Sequence, residues 1–363
     1  MTEPATKPGL LELALTFNKI SLASFGGGLS AWARRVIVEE KKWLDDEEFL
    51  SALTLSRVLP GANQMNFAVY VGNRFHGLGG AIAAVLGLIT IPFLIILAFA
   101  YAYFLHSTTP AMQDVLHGVT TVAIGLALST GLKTGEKFLF DPTALLFGAL
   151  AFAASVFLKL PLSSPSSPSL ALRPFSWHGG TTSEKRRLMK PAAILSLISF
   201  FSVLSILSIG GSNSVVPEMA RHAVEVEHWL TAAQFTDIFA ISQAAPGPSN
   251  LIVALIGFKV AGFWGALVAQ LAMTLPAVSL MLLVSRIWLA SSGSAWHLAL
   301  EHGLAPIAVG LIFASGWTIA EGASLSPISY VITAACTILF WKSHISPIPI
   351  IVAAGMFGWM RWI

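Results

Sequence analysis

Residues 34–61 read RRVIVEEKKWLDDEEFLSALTLSRVLPG, and residues 221–247 read RHAVEVEHWLTAAQFTDIFAISQAAPG. Set 186 residues apart, they place Arg35 on Arg221, Glu39 on Glu225, Trp43 on Trp229, Leu44 on Leu230, Phe49 on Phe235 and Ser56 on Ser242. Both end on a proline and a glycine, Pro60-Gly61 and Pro246-Gly247. Upstream, SFGGG matches SIGGS; downstream, GLGGA matches GFWGA and Pro92 matches Pro276 across small gaps. A tryptophan, a Pro-Gly and an Arg-Glu pair kept in one register mark an internal duplication. Repeats of this kind in helical membrane proteins are typical of transporters, which hold substrate near the midplane between the repeats.

Composition places the duplication in a membrane. Of 363 residues, 55% are hydrophobic and 11% charged, and mean hydropathy is +0.75; ordinary soluble domains carry about 25% charged residues. Runs such as 80–104, 115–132, 265–288 and 345–362 approach or exceed the roughly 20 residues that cross a bilayer as helix, and none alternates as a membrane barrel strand would. The expected fold is an all-α polytopic membrane protein of two homologous halves, with about 10–12 membrane segments including broken or re-entrant helices. Apolar segments fall at about 10–31, 48–72, 78–105, 112–132 and 142–160, then at 192–211, 232–258, 263–290, 300–320, 325–341 and 345–362.

Between the halves runs PLSSPSSPSLALRPFSWHGGTTSEKRRLMKP, rich in Ser and Pro and unable to bury a core. It holds Arg173, Lys185, Arg186, Arg187 and Lys190 against Glu184, so the positive-inside rule faces it to the cytoplasm. The domains are thus 1–160, a linker over 161–191, and 192–363. Five spans in the first half would invert one repeat relative to the other. A re-entrant hairpin over 49–70 would change that parity and leave the halves parallel. The N-terminus shows no removable signal, and one cysteine, Cys336, excludes an intramolecular disulfide and a multi-thiolate metal site. The net charge of +3 follows from loop lysines and arginines and is no nucleic-acid signal.

Three paired features carry chemistry. The glycines Gly26, Gly27 and Gly28, and Gly210 and Gly211, end apolar segments; they either let helices pack closely or unwind to line a substrate path. Arg35 with Glu39, and Arg221 with Glu225, stand four residues apart, the spacing at which α-helical side chains pair. They read as interfacial salt bridges or as a gate with a proton-coupling glutamate. The Pro-Gly breaks end one helix and open another, presenting amides at a positive helix end that attracts anions. Inside a membrane such a break survives only within protein or beside a cavity. Arg57, Pro60, Gly61, Asn63, Gln64 and Asn66 surround the first break, and Gln243, Pro246, Gly247, Ser249 and Asn250 the second. An oxyanion held between the breaks is the expected ligand.

Other signals point nowhere specific. No histidines show metal-site spacing, and no cofactor is implied. GLKTGEK from Gly131 lacks the spacing of a nucleotide-binding loop, and no glycine fingerprint for a dinucleotide accompanies it. Nothing visible supports an enzyme, since no nucleophile-base or metal cluster enters the apolar segments. A structural or receptor role would not explain a duplicated polar break, and a channel is separated from a transporter only by coupling of flux to a proton or voltage gradient.

SFGGG, KKWLDDEEF and LPGANQMNFAVYVG resemble the amino-terminal domain of the chromate ion transporter family. GGSNSVVPEMARHAVEVEHWLTAAQF with AISQAAPGPSNLIVALIG is similar to its second domain. The resemblance implies a two-domain, multi-pass protein of the bacterial inner membrane; a homodimer is the partner expectation. It implies export of chromate on the proton motive force, giving chromate resistance, with sulfate as the natural competitor; transport of sulfate or another oxyanion is the alternative. Where the family pattern has Gln before Leu-Pro-Gly-Pro, the first half has Arg57, and Ala62 replaces the second proline. The second half keeps Gln243 and Pro248.

Overall fold

The computed structural model describes residues 7–24, 29–159, 191–290, 295–323, 325–343 and 345–360. Gly26 to Gly28 and all but the last residue of the linker lie outside them, so the expectations placed there are not addressed. Every regular element among the described residues is helical. The first half comprises α1 (Leu10–Ala23), α2 (Leu29–Arg34), α3 (Asp46–Val58), α4 (Asn63–His106), α5 (Pro110–Gly135) and α6 (Pro142–Val156). The second comprises α7 (Pro191–Leu207), α8 (Val216–Ala220), α9 (Ala232–Ala244), α10 (Ile252–Ala290), α11 (Ala295–Gly322), α12 (Pro327–Lys342) and α13 (Pro347–Trp359).

Each half begins with two re-entrant hairpins. In the first, α1 runs inward and α2, continued by a π-helical turn over Arg35–Glu40, returns beside it. Lys41 meets Glu12 at 2.7 Å and Glu40 meets Lys19 at 2.9 Å, which fixes the antiparallel sense. In the second, α3 starts on an Asp45 cap that accepts from the Glu48 amide, descends to Pro60-Gly61, and α4 climbs back. Phe49 near the start of α3 lies 5.3 Å from Phe67, edge to face, and Arg74 pairs with Glu48. Two helices sharing a tip at residue 60 make both contacts only by folding back. Segment 48–72 is therefore re-entrant, and α1 lies antiparallel to the described chain of α2 and its π-helical turn.

α4 turns sharply at His76 and Gly77, where φ is +56°, and its remaining 29 residues run for about 43 Å. The equivalent turn in α10 is at Ala261 and Gly262, with φ +61°. The bases of the first-half hairpins gather where this long helix begins: Trp43 packs on Phe75 at 5.9 Å and His76 bonds the Pro8 carbonyl. The bases of the second-half hairpins gather where it ends. Tyr103 donates to Asp237 at 2.8 Å, Phe104 stacks on Phe258 at 6.0 Å, and Phe200 of α7 stacks on His222 at 3.7 Å. The halves thus enter from opposite faces. The expected inversion holds although a hairpin over 49–70 was expected to remove it: a second hairpin precedes it, and the two parity changes cancel.

Proline and glycine permit the crossings. Pro92 inside α4 has no N–H for the Leu88 carbonyl, four residues back. Ser21 of α1 donates its hydroxyl there at 2.6 Å. The halves then interlock: α5 packs against α12 and α13, and α11 against α6. Backbones approach closely at glycines; a Cβ on Gly118 would lie 2.0 Å from the Ala354 carbonyl, and one on Gly310 2.1 Å from that of Gly148. Leu86, Leu94, Leu150, Leu271 and Leu283 face outward, the apolar exterior that helices present to lipid. Among the described residues, four helices are long and apolar enough to cross a membrane by length and composition: those over 63–106, 110–138, 249–285 and 303–322.

Candidate functional site

The two Pro-Gly tips meet in the interior, each finished by the other half. The Gly61 amide donates to the Ser208 carbonyl at 3.1 Å, and the Gly247 amide to the Ser24 carbonyl at 3.2 Å. Both glycines sit at φ +116°, a conformation costly for any residue with a Cβ. A Cβ there would also fall 2.6 Å from that of Ala277 or of Pro92, respectively. The carbonyls ending α3 are satisfied by Asn66, wholly buried, whose Nδ2 lies 3.4, 3.3 and 3.0 Å from the oxygens of Ser56, Leu59 and Pro60.

A cavity of about 270 Å³ lies between the tips. Arg57 from the last turn of α3 and Asn63 and Gln64 from the first turn of α4 form one wall. Gly210, Gly211, Ser212 and Asn213 from the glycine tip after α7, with Gln243 and Ser249 at the second break, form another. Lys133 and Lys137, at the end of α5 and just beyond it, complete the rim. Asn63 Nδ2 donates to the Gly210 carbonyl at 3.3 Å, joining the halves. Lys133 donates to the Ser343 carbonyl at 3.4 Å. Asn63 Oδ1, Gln64 Oε1 and Ser212 Oγ are buried without a protein partner. A serine hydroxyl so placed has a proton to give, and an amide can turn its NH₂ toward an acceptor. The described lining contains three cations and no carboxylate. The first segment of α4, before its turn at His76 and Gly77, adds the positive end of a helix.

The structure divides the residues singled out in the sequence. Arg57, Asn63, Gln64, Gln243, Ser249, Gly210 and Gly211 share this cavity. Pro60, Gly61, Pro246 and Gly247 shape its tips without lining it, and Asn66 caps α3. Asn250, wholly buried, places Nδ2 3.5 Å from the Met65 sulfur and does not line the cavity either. Lys133 and Lys137 come from the GLKTGEK segment; two lysines four apart at the end of an apolar run were the signal that could have found them.

The Arg-Glu pairs are corrected. Arg35 reaches Glu40 at 3.4 Å and Arg34 reaches Glu39 at 2.7 Å; Arg221 pairs with Glu218, and Glu225 with Lys159 at 3.1 Å. Residues 35–40 and 221–226 are π-helical. These turns bond i→i+5, and in neither does the arginine pair with the glutamate four residues along. Glu39 lines neither that cavity nor the second one described below. Glu225 lines a second cavity, of about 260 Å³, together with Arg221.

Two inverted helical repeats whose broken tips enclose a cavity with three cations and no carboxylate among its described residues define an inverted-repeat membrane protein of the transporter class. The sequence model of the family described as Chromate transporter matches residues 11–171 and 195–359. The chain belongs to the chromate transporter family. It is 27% identical to the probable chromate transport protein of Synechococcus elongatus, over 92% of this chain and 96% of that protein. It is 26% identical to the chromate transport protein of Pseudomonas aeruginosa, over 96% of this chain and 92% of that protein. With the chromate transport protein of Cupriavidus metallidurans it shares 28% identity, over 74% of this chain and 72% of that one. No solved structure matches the chain.

Proposed function

We propose that the protein is a secondary transporter that exports chromate across the bacterial cytoplasmic membrane on the proton motive force, giving chromate resistance, and that the first cavity is its substrate site. One observation carries the reading: Arg57, Lys133 and Lys137 with donors from both halves line a single cavity at the repeat interface, with no carboxylate among its described residues. A tetrahedral dianion uses all of these groups, taking bidentate hydrogen bonds from arginine and further bonds from hydroxyls, amides and a helix N-terminus. A metal cation or a sugar uses few of them. The electrical part of the driving force suits the direction, since moving two negative charges out releases about 5 kcal/mol per 100 mV, inside negative.

Uptake of chromate and of sulfate into proteoliposomes with an imposed gradient tests the assignment. Arg57→Gln loses a charge-assisted contact of about 1.5–3 kcal/mol, so the apparent KM for the transported anion rises about tenfold to a hundredfold. Asn63→Ala acts in the same direction. Unaltered flux and unaltered sulfate competition in both variants would put the site elsewhere. We assign proton coupling to Glu225 rather than to Glu39, because Glu225 borders the second cavity whereas Glu39 lines neither of the two described. Glu225→Gln is expected to flatten the pH dependence of flux, and Glu39→Gln to leave it as in the unmodified protein. The reverse result would exclude Glu225.

A further inference from the structure

The second cavity lies along the same helices as the first. α11 lines the first with Leu304, Ala305, Ala308 and Ile312 and the second with Trp317, Thr318, Glu321 and Gly322. α9 gives Gln243 to the first and Phe235 and Thr236 to the second. The chain after the glycine tip gives Asn213 to the first and Pro217 to the second. From Ile312 to Trp317 is about 8 Å of helix. The intervening residues are packed shut: Val215, Val216, Phe239, Ala240, Ala314 and Ser315 are each at most 1% exposed. Ser315 Oγ also bonds the Asn213 carbonyl, tying α11 to the tip.

The mouths face opposite ways. The first cavity reaches Lys133, Lys137 and Phe138, on the side of the first-half hairpin bases. The second reaches Lys159 and Glu225, on the side of the second-half bases. Inside it, Arg221 donates through Nε and Nη2 to the two oxygens of Glu218, at 3.1 and 2.6 Å. Glu218 is 3% exposed, whereas the Arg221 side chain keeps 24% of its surface. Among the described residues, His222, Glu225, Glu227, Lys159 and Glu321 also stand around the pair. A two-point grip on a carboxylate is the same geometry by which arginine grips a tetrahedral oxyanion.

We propose that the second cavity is the far mouth of the same anion path, closed off by this septum, and that Arg221 is the anion's landing site there, held by Glu218 as an internal competitor. The inference rests on the first cavity being an anion site. Its geometry differs from that of the first mouth, where no carboxylate stands among the described lining. An anion at Arg221 displaces Glu218, and on leaving restores the pair. The landing site is therefore weaker than the first site, as release requires.

Site-directed thiol labelling tests this without transport. Cys336→Ser serves as background, and Asn213→Cys and Thr318→Cys each report one cavity across the septum. An impermeant methanethiosulfonate applied to right-side-out and inverted vesicles is expected to reach Asn213→Cys from one face only and Thr318→Cys from the other only. Sulfate or molybdate, tetrahedral dianions that do not oxidise thiols, are then expected to shield Thr318→Cys. Glu218→Gln lowers the concentration needed about tenfold, and Arg221→Gln abolishes shielding. Labelling of both cysteines from one face, no labelling of Thr318→Cys, absence of shielding by either anion, or shielding that survives Arg221→Gln overturns the proposal. Access and shielding are read at Thr318, and flux at Arg57, so the two readings fail separately.

Discussion

At Asn66 the side-chain amide reaches three carbonyls left over at the end of α3. Its sequence context resembled a ligand because asparagine serves equally well as ligand and as cap at a broken helix. Arg57, nine residues earlier, lines the cavity instead. Asn66→Ala leaves buried carbonyls unsatisfied, at about 1–3 kcal/mol for such a group. Thermal unfolding in detergent is expected to show lowered stability, while the KM of the folded fraction stays near that of the unmodified protein. A changed KM at unchanged stability would make Asn66 a ligand after all. The contrast with Arg57→Gln, where affinity falls and stability holds, separates the two roles.

The hairpin is the element on which the site depends. Gly61 and Gly247 each combine φ +116° with a neighbour that a Cβ would meet at 2.6 Å. Gly61→Ala and Gly247→Ala are therefore expected to lower folded yield together and to similar extents, measured by monodisperse recovery from the membrane. A large effect at one and none at the other would break the equivalence of the two tips. Pro-Gly, repeated with its flanking tryptophan and serine, made this element legible in the sequence. The fold-back was not, because a broken crossing helix and a re-entrant hairpin share one hydropathy profile; Phe49 on Phe67 and Glu48 on Arg74 decide it only in three dimensions. The π-helical turns were likewise hidden. Arg35 and Glu39 carry the spacing of an α-helical pair, yet Arg35 reaches Glu40 instead. Lys133 and Lys137 were missed because they come to the breaks through packing of α5, far away in sequence.

At the scale of the molecule, the halves are not separate bodies joined by a tether. α5 lies against α12 and α13, α6 lies against α11, and Thr333 donates to the Thr121 carbonyl at 3.0 Å. These contacts do not involve the linker. A chain cut between residues 170 and 180 and expressed as two pieces is expected to reassemble, co-purify and retain anion flux. Either piece alone is expected to be degraded or aggregate, since each leaves α5 or α11 without its partner. Independent folding of one piece would show that the interlock is dispensable.

The crossed backbone bonds, Gly61 to Ser208 and Gly247 to Ser24, carry a consequence for how such a protein can evolve. Each half serves as the other's template, and the template is written in main-chain atoms. Neither copy can shift its tip without misaligning its twin, so the geometry is frozen by mutual reference. Side chains escape that constraint. After duplication, arginine could stand at one tip and glutamine at the other, and a twin-lobed ancestor could acquire a polarity its symmetry had forbidden.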